Sequence, residues 1–182
     1  MLTPAQIALN QAIAELDVAT VQQLLQDGLD PNYLDPELGT PITQICDELF
    51  AWWEAVVHGY ETENPLEDAE KTRLLEPYLA IIHALIAAKA NLHLWDSDEL
   101  YGPLWDAASA ACVPVVELLL DHGVDPNTRD DEGLTVLSSI SQLWFDVDFD
   151  LIEWDDALPE EEATLKLLRA RGGKTTAEWA QA

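Results

Sequence analysis

LLQDGLDPN occupies residues 24–32, and LLDHGVDPN returns at 119–127. Each copy ends an apolar run in leucines, places a glycine (Gly28, Gly123) where a helix would stop, and continues into Asp-Pro-Asn. A glycine just past a helix takes the left-handed backbone that closes the last turn, so both copies predict a helix end followed by a tight turn. LIAAKANLH at 85–93 is a degraded third copy, and LKLLRARGGKT at 165–175 carries the same helix ending. Upstream of these endings lie Thr40-Pro41-Ile42, GPLWDAA at 102–108 and GLTVLSS at 133–139, each suited to opening a helix.

The spacing is regular wherever it is not interrupted. Leu9 to Ile42 and Leu104 to Leu137 are both 33 residues, and Leu9 to Gly28 and Leu104 to Gly123 are both 19. Ile42 to Lys89 takes 47, an excess of 28 over 19, and Leu137 to Gly172 takes 35, an excess of 16. Both insertions fall between the two helices of a pair. The turn region after Lys89 is also one residue longer than its counterparts. The unit resembles the ankyrin repeat, which opens on a T-P-L-H-x-A turn and runs about 33 residues. The resemblance covers essentially the whole chain. It implies an all-α solenoid of antiparallel helix pairs joined by short hairpin loops, a single ankyrin-repeat domain over 1–182. The repeats would span about 2–34, 35–95, 96–129 and 130–174. Insertions would lie near 56–78 and 144–158, with a C-terminal cap at 175–182.

Local chemistry agrees with that frame. Thr3-Pro4 with Gln6, and Thr175 with Glu178, predict capping boxes at the first helix and at a short last one. Lys89 stands where the other copies have glycine, so its turn is expected to be strained or differently shaped. Ile42, Ile45, Cys46, Leu49, Trp53 and Val56 keep helical spacing to about Gly59. Asn64-Pro65 reads as the cap and first turn of a long outer helix reaching Ala88, kinked or restarted at Pro77. The added turns should pack Trp52 or Trp53 against Leu74, Leu75 and Tyr78; docking through an exposed one of these tryptophans is the alternative.

Charge excludes several classes of partner. The chain has 35 acids, 8 bases and a formal net charge of -27, with no base before Lys71 and none between Lys89 and Arg129. Such a surface repels phosphate backbones and anionic lipid, which argues against nucleic acid and membrane as partners, and it attracts basic proteins. At this charge, self-repulsion already opposes folding, so solubility alone is a weak explanation. YLAIIHALIAA at 78–88 is too short to span a bilayer, and MLTPAQIALN lacks the basic start and apolar run of a signal peptide. Cys46 and Cys112 read as buried thiols of a cytoplasmic protein, which is expected to be a monomer when free.

WFDVDFDLIEWDD at 144–156 carries six acids and no base. Asp146, Asp148 and Asp150 start like an EF-hand calcium loop, but Leu151 holds the glycine position and Ala157 the bidentate glutamate position. The alternation of Phe145, Val147, Phe149 and Leu151 with aspartates instead predicts an extended segment, apolar face inward and carboxylates outward. Pro159 would then start the last outer helix, with Glu160, Glu161 and Glu162 in its first turn. His58, His83, His93 and His122 have no metal-ligand spacing, and no nucleophile triad or phosphate loop is present. The sequence therefore predicts no enzyme, no metal and no cofactor.

The resemblance to ankyrin-repeat proteins implies partner binding through hairpin tips and the concave face of the inner helices. Carried over by position, this gives Glu37 in the second repeat, Asp98, Glu99 and Tyr101 in the third, and Asp131, Glu132 and Leu134 in the fourth. On the inner helices it gives Asp47, Glu48, Ser109 and Gln142. The second candidate surface is the insertion, with Trp144, Asp146, Asp148, Asp150, Glu153, Trp154, Asp155 and Asp156. Both sets are mostly acidic with aromatics, a composition suited to Lys and Arg on a partner. The ending LLRARGGKT is similar to that of bacterial ankyrin proteins. Acidic proteins of this kind include immunity proteins that cover basic toxins such as nucleases, so a basic cognate toxin is the expected partner. A regulatory or scaffolding subunit for a cytosolic enzyme or secretion component is the alternative, and nucleic-acid mimicry a third reading.

Overall fold

Pro4, Pro41, Pro103 and Pro159 each open a helix, where the missing N–H costs nothing and φ is already set. The computed structural model describes residues 1–57, 67–93, 102–130 and 132–181. The described helices are α1 (Pro4–Ala14), α2 (Val18–Gln26), α3 (Pro41–Val57), α4 (Asp68–Ala87), α5 (Pro103–Ser109), α6 (Val113–Asp121), α7 (Val136–Phe145), α8 (Pro159–Ala170) and α9 (Thr176–Trp179). The fold is all-α, a series of helix pairs. Two isolated antiparallel bridges, Asp35 with Gly39 and Arg129 with Thr135, mark the hairpins described between pairs.

The chain forms two compact units, Met1–Pro103 and Leu104–Ala182. In the first, α1 packs on α2 and α3, and α4 packs on α2 and α3. Leu9, Ile13, Val21, Ile45, Leu49, Ile81, Ile82 and Leu85 form its fully buried core. In the second, α6 and α7 pack on α8 around Val115, Val116, Leu119, Ile140, Leu165 and Leu168. The four side chains aligned by the 33-residue spacing, Leu9, Ile42, Leu104 and Leu137, are 0, 1, 2 and 0% exposed. Each such burial contributes about 1.5–3 kcal/mol, which is why this register survives the insertions.

The exit turns repeat in detail. Gly28, Gly123 and Gly172 have φ of 91, 85 and 92°. In each turn one N–H reaches three residues back and the next reaches five back, as in Gly28 to Leu25 (3.1 Å) and Leu29 to Leu24 (3.2 Å). Lys89 keeps this shape, with φ 66° and bonds from Lys89 N to Ile86 O and from Ala90 N to Leu85 O, both 2.9 Å. The absent glycine therefore leaves strain and does not change the turn. The asparagine that closes each nine-residue motif ties one turn to the next. Asn32 Nδ2 donates to Lys89 O (3.1 Å) and its Oδ1 accepts from Asn91 N (2.6 Å). Asn127 does the same with Gly172 O (3.1 Å) and Lys174 N (2.8 Å).

Thr3 with Gln6, and Thr175 with Glu178, form the expected capping boxes. In the first insertion α4 runs unbroken through Pro77, so the helix does not restart there. Trp52 stacks on Tyr78 with ring centroids 5.2 Å apart, the packing expected of the added turns. Residues 58 to 66, which include Gly59 and Asn64-Pro65, lie outside the described residues, and α4 opens at Asp68 on an extended Glu67, three residues later than the Pro65 start expected. The second insertion departs from expectation. Instead of an extended segment, α7 ends at Phe145 with Asp146 left-handed (φ 56°), and two single-turn 3-10 helices follow at Phe149–Leu151 and Trp154–Asp156. Asp148 caps the first of these by accepting from Phe149 N (2.9 Å), and this local bond outcompetes the extended alternation.

Candidate partner-binding surfaces

The hairpin tip of the first unit is built around Asp35. Its backbone pairs with Gly39 in both directions (2.8 and 2.9 Å), and its Oδ1 accepts from Glu37 N (2.8 Å) and Leu38 N (3.3 Å). Oδ2 accepts from Asn10 Nδ2 (3.0 Å), Asn10 Oδ1 accepts from the Tyr33 hydroxyl (2.6 Å), and Gln44 Nε2 donates to Asn10 O (2.9 Å). Burial, with Asp35 nearby, pushes the Tyr33 hydroxyl pKa well above its ordinary value, so it stays a donor. The tip is thereby fastened to α1, which Gln44 of α3 grips in turn, and it holds Glu37 exposed between exposed Leu34 and Leu38. Asp47 on α3 is exposed. Glu48 is half-buried, and burial together with Asp47 raises its pKa.

The tip of the second unit repeats the device with Asp130. Leu134 N donates to Asp130 Oδ1 (2.7 Å), Asp130 N to Leu134 O (3.1 Å) and Gly133 N to Asp130 O (3.1 Å). Glu132 stands exposed there and Leu134 is half-buried. Gln142 is exposed on α7, and Ser109 is half-buried on α5. Asp98, Glu99, Tyr101 and Asp131 lie outside the described residues.

In the insertion, Asp146, Asp150, Glu153 and Asp155 are exposed, and the 3-10 turn at Trp154–Asp156 brings Asp156 into the same segment. Asp148 is not outward-facing as expected; it is half-buried and accepts from Ser138 Oγ (2.9 Å). The aromatic residues pack on one another. Trp154 meets Phe145 at 6.3 Å and Phe149 at 5.7 Å, both edge-on, and Trp144 meets Phe145 at 6.3 Å. Two cations of α8 cover this cluster, Lys166 Nζ lying 5.1 Å from the Trp154 ring and the Arg169 guanidinium 5.4 Å from Phe149. Trp154 is therefore occupied within its own unit. The insertion also leaves Leu143 and Leu151 prominent, at 62 and 69% exposed.

Sequence reasoning missed the residues that hold these surfaces: Asp35, Asn10, Asn32, Asn127, Lys166 and Arg169. For Asn32 and Asn127 the signal was available, since each closes a copy of the same nine-residue motif. For Lys166 and Arg169 it was the spacing, three residues apart on a helix that faces the insertion.

Residues 104–139 match the family model described as ankyrin repeats (many copies). This stretch is similar to ankyrin repeats. Outside it, the likeness rests on the register of Leu9 and Ile42 and on the shared exit turns. Ankyrin repeats are typically non-catalytic modules that bind other proteins, so the match points to a protein-protein interaction role. No curated protein matches the chain. Among the described residues no helix is long and apolar enough to cross a membrane, and no group of three or more His, Cys, Asp or Glu side chains could hold a metal ion. Cys46 and Cys112 are buried thiols, and burial pushes that of Cys112 up to about 12, well away from nucleophilic reactivity.

Proposed function

We propose that this ankyrin-type module binds a basic protein and blocks it by covering it, as an immunity protein covers a nuclease toxin. One observation carries the reading. The five bases of residues 104–182 are all engaged inside their own unit. Arg129 and Lys174 lie over the Trp179 ring, Lys166 over Trp154 and beside Glu162, Arg169 over Phe149 and beside Glu178, and Arg171 against Asp121 and Glu117. The exposed acids Glu132, Asp146, Asp150, Glu153 and Asp155 thus meet solvent with the local positive charge already committed. A surface of that kind speeds encounter with a positive partner and repels nucleic acid. The rigid tips that carry Glu37 and Glu132 lower the ordering cost of binding.

Affinity capture from the native lysate, with identification by mass spectrometry, tests this reading. The expected partner is basic, its binding weakens steeply with salt, and its activity falls to nothing at one equivalent of this chain. Replacing the exposed Asp146, Asp150 and Asp155 with Asn should slow association and flatten its salt dependence while release is little changed. An acidic or neutral partner bound equally well at low and high salt would defeat the reading.

A further inference from the structure

Asp148 and Phe149, at the root of the insertion, are both tied to the segment 174–180 through residues that lie in neither. The Ser138 hydroxyl accepts from Thr176 N (2.9 Å) and donates to Asp148 Oδ1 (2.9 Å), so one oxygen joins the two segments. Arg169 makes the second link. One face of its guanidinium lies over Phe149, while its nitrogens donate to both Glu178 carboxylate oxygens, one at 2.6 Å, and to Gly173 O (3.1 Å). Thr135 fastens the same segment further, its N–H donating to Thr176 Oγ1 (3.0 Å) and its hydroxyl to Lys174 O (2.7 Å). A helix of four residues has no stability of its own, so α9 is held by these bonds and by its capping box.

We propose that residues 174–180 are a latch that keeps the acidic insertion 146–156 folded, with Ser138 and Arg169 as the positioning residues. Apart from these links and the packing of Trp154 on Phe145 and Phe149 under Lys166, the ties of the insertion are local. Its backbone bonds are all short-range (Asp146 N to Gln142 O, Leu151 N to Asp148 O, Ile152 N to Phe149 O, Ala157 N to Trp154 O), and Ile152 is its buried apolar anchor. Two short turns of that kind are marginal unless tertiary contacts fix them. The arginine stacked on Phe149 has its planar fork oriented by Glu178, with Gly173 O as a further acceptor. Arg169 holds the Glu178 carboxyl down at about 2, so the latch stays closed across the neutral range and is opened by displacement of the segment, not by mild acid. A partner that pulls on 174–180 would thereby loosen the surface that carries Asp146, Asp150 and Asp155. That consequence rests on the binding role proposed above, whereas the coupling itself does not.

Amide hydrogen exchange on the full chain, with no partner present, tests the coupling separately from the binding role. Glu178→Gln should raise exchange at Leu151, Ile152 and Ala157 at least about fivefold, the scale of a lost charge-assisted hydrogen bond. The amides of Val116, Leu119 and Leu120 on α6 should not change. Glu117→Gln removes an equal charge from the same unit away from the latch and should leave the insertion amides as they were. Coupling is reciprocal, so Asp148→Ala should raise exchange at Trp179 and Ala180. Faster exchange at Trp179 and Ala180 in Glu178→Gln with the insertion unchanged would overturn the latch. So would an increase spread evenly over α6, which would mean only general destabilisation.

Discussion

The first and third repeats differ from the second and fourth at one place. Seven residues after the core leucine, the regular repeats turn: Leu16 and Ala111 are left-handed, with φ of 52 and 53°. In both, the N–H of that residue reaches three back and the next reaches five back, so the inner helix closes with the same bonds as the outer one. At the equivalent place the long repeats have Leu49 and Trp144, both still helical, and α3 and α7 run on to Val57 and Phe145. On either side of this point the core position and the exit turn are shared. The core position is buried in all four repeats, and the exit turn has the same bonds whether glycine or Lys89 occupies it. The repeat is therefore specified at its entry and its exit, and the join between its helices is free to grow.

The largest effects test whether the core position is equivalent in short and long repeats. Leu9→Ala and Leu137→Ala both remove a fully buried side chain, and each should cost about 3 kcal/mol in urea unfolding followed by circular dichroism. A much smaller cost for Leu137→Ala would mean that the insertion has relaxed the packing next to it. The exit turn of the fourth repeat comes next. A Cβ on Gly173 would sit 2.7 Å from Leu168 O, which is backbone and cannot swing away, whereas Gly172 has open space and only its φ of 92° to satisfy. Gly173→Ala should therefore cost about 2 kcal/mol, and Gly172→Ala about 1 kcal/mol. The opposite order would show that this turn moves to make room.

Lys89→Gly works in the other direction. The left-handed backbone costs a non-glycine residue about 1–2 kcal/mol, and glycine gives part of this back through its freer unfolded chain. The gain expected is about 0.5–1 kcal/mol in the same urea measurement. A loss would place the stem of Lys89 in packing that matters more than the strain.

Much of this was legible from residue types. The repeat, its insertions, the prolines that open helices and the glycines that end them all follow from chemistry acting within one turn of chain. The left-handed residues Leu16 and Ala111 were not legible, because neither side chain favours that conformation and only packing of the paired helices imposes it. The 144–156 segment was misread for a related reason. Alternation of apolar and acidic residues there suggested an extended segment, but Asp148 has a closer use as a cap, and the aromatics gather under Lys166 and Arg169 from a helix later in the chain. The candidate surface was legible as composition, while its shape depends on contacts that no local pattern encodes.

The smallest effect expected comes from Glu48, and it isolates what lengthening a helix does to charge. Glu48 lies one residue before the point where the regular inner helix would stop, and Glu15 is its counterpart in the first repeat. On α3, beside the packed α4, Glu48 is half-buried near Tyr78, whose phenol is raised first by burial and then by the Glu48 charge, while Glu15 stays exposed. Burial, then Asp47, raises the Glu48 carboxyl pKa, so the folded chain binds that proton more tightly than the unfolded chain does. The ionised form consequently opposes folding. The penalty is absent below the unfolded value of about 4.3, and it grows as pH rises through the folded one. Glu48→Gln should stabilise the protein at pH 7 by more than Glu15→Gln, since both relieve general repulsion but only the first relieves burial. The difference should vanish near pH 4, where Glu48 is protonated in the folded chain. Thermal melts of the two variants at pH 7 and pH 4 measure it. An equal gain at pH 7 would mean that the longer helix leaves Glu48 as well solvated as an acid on a regular repeat.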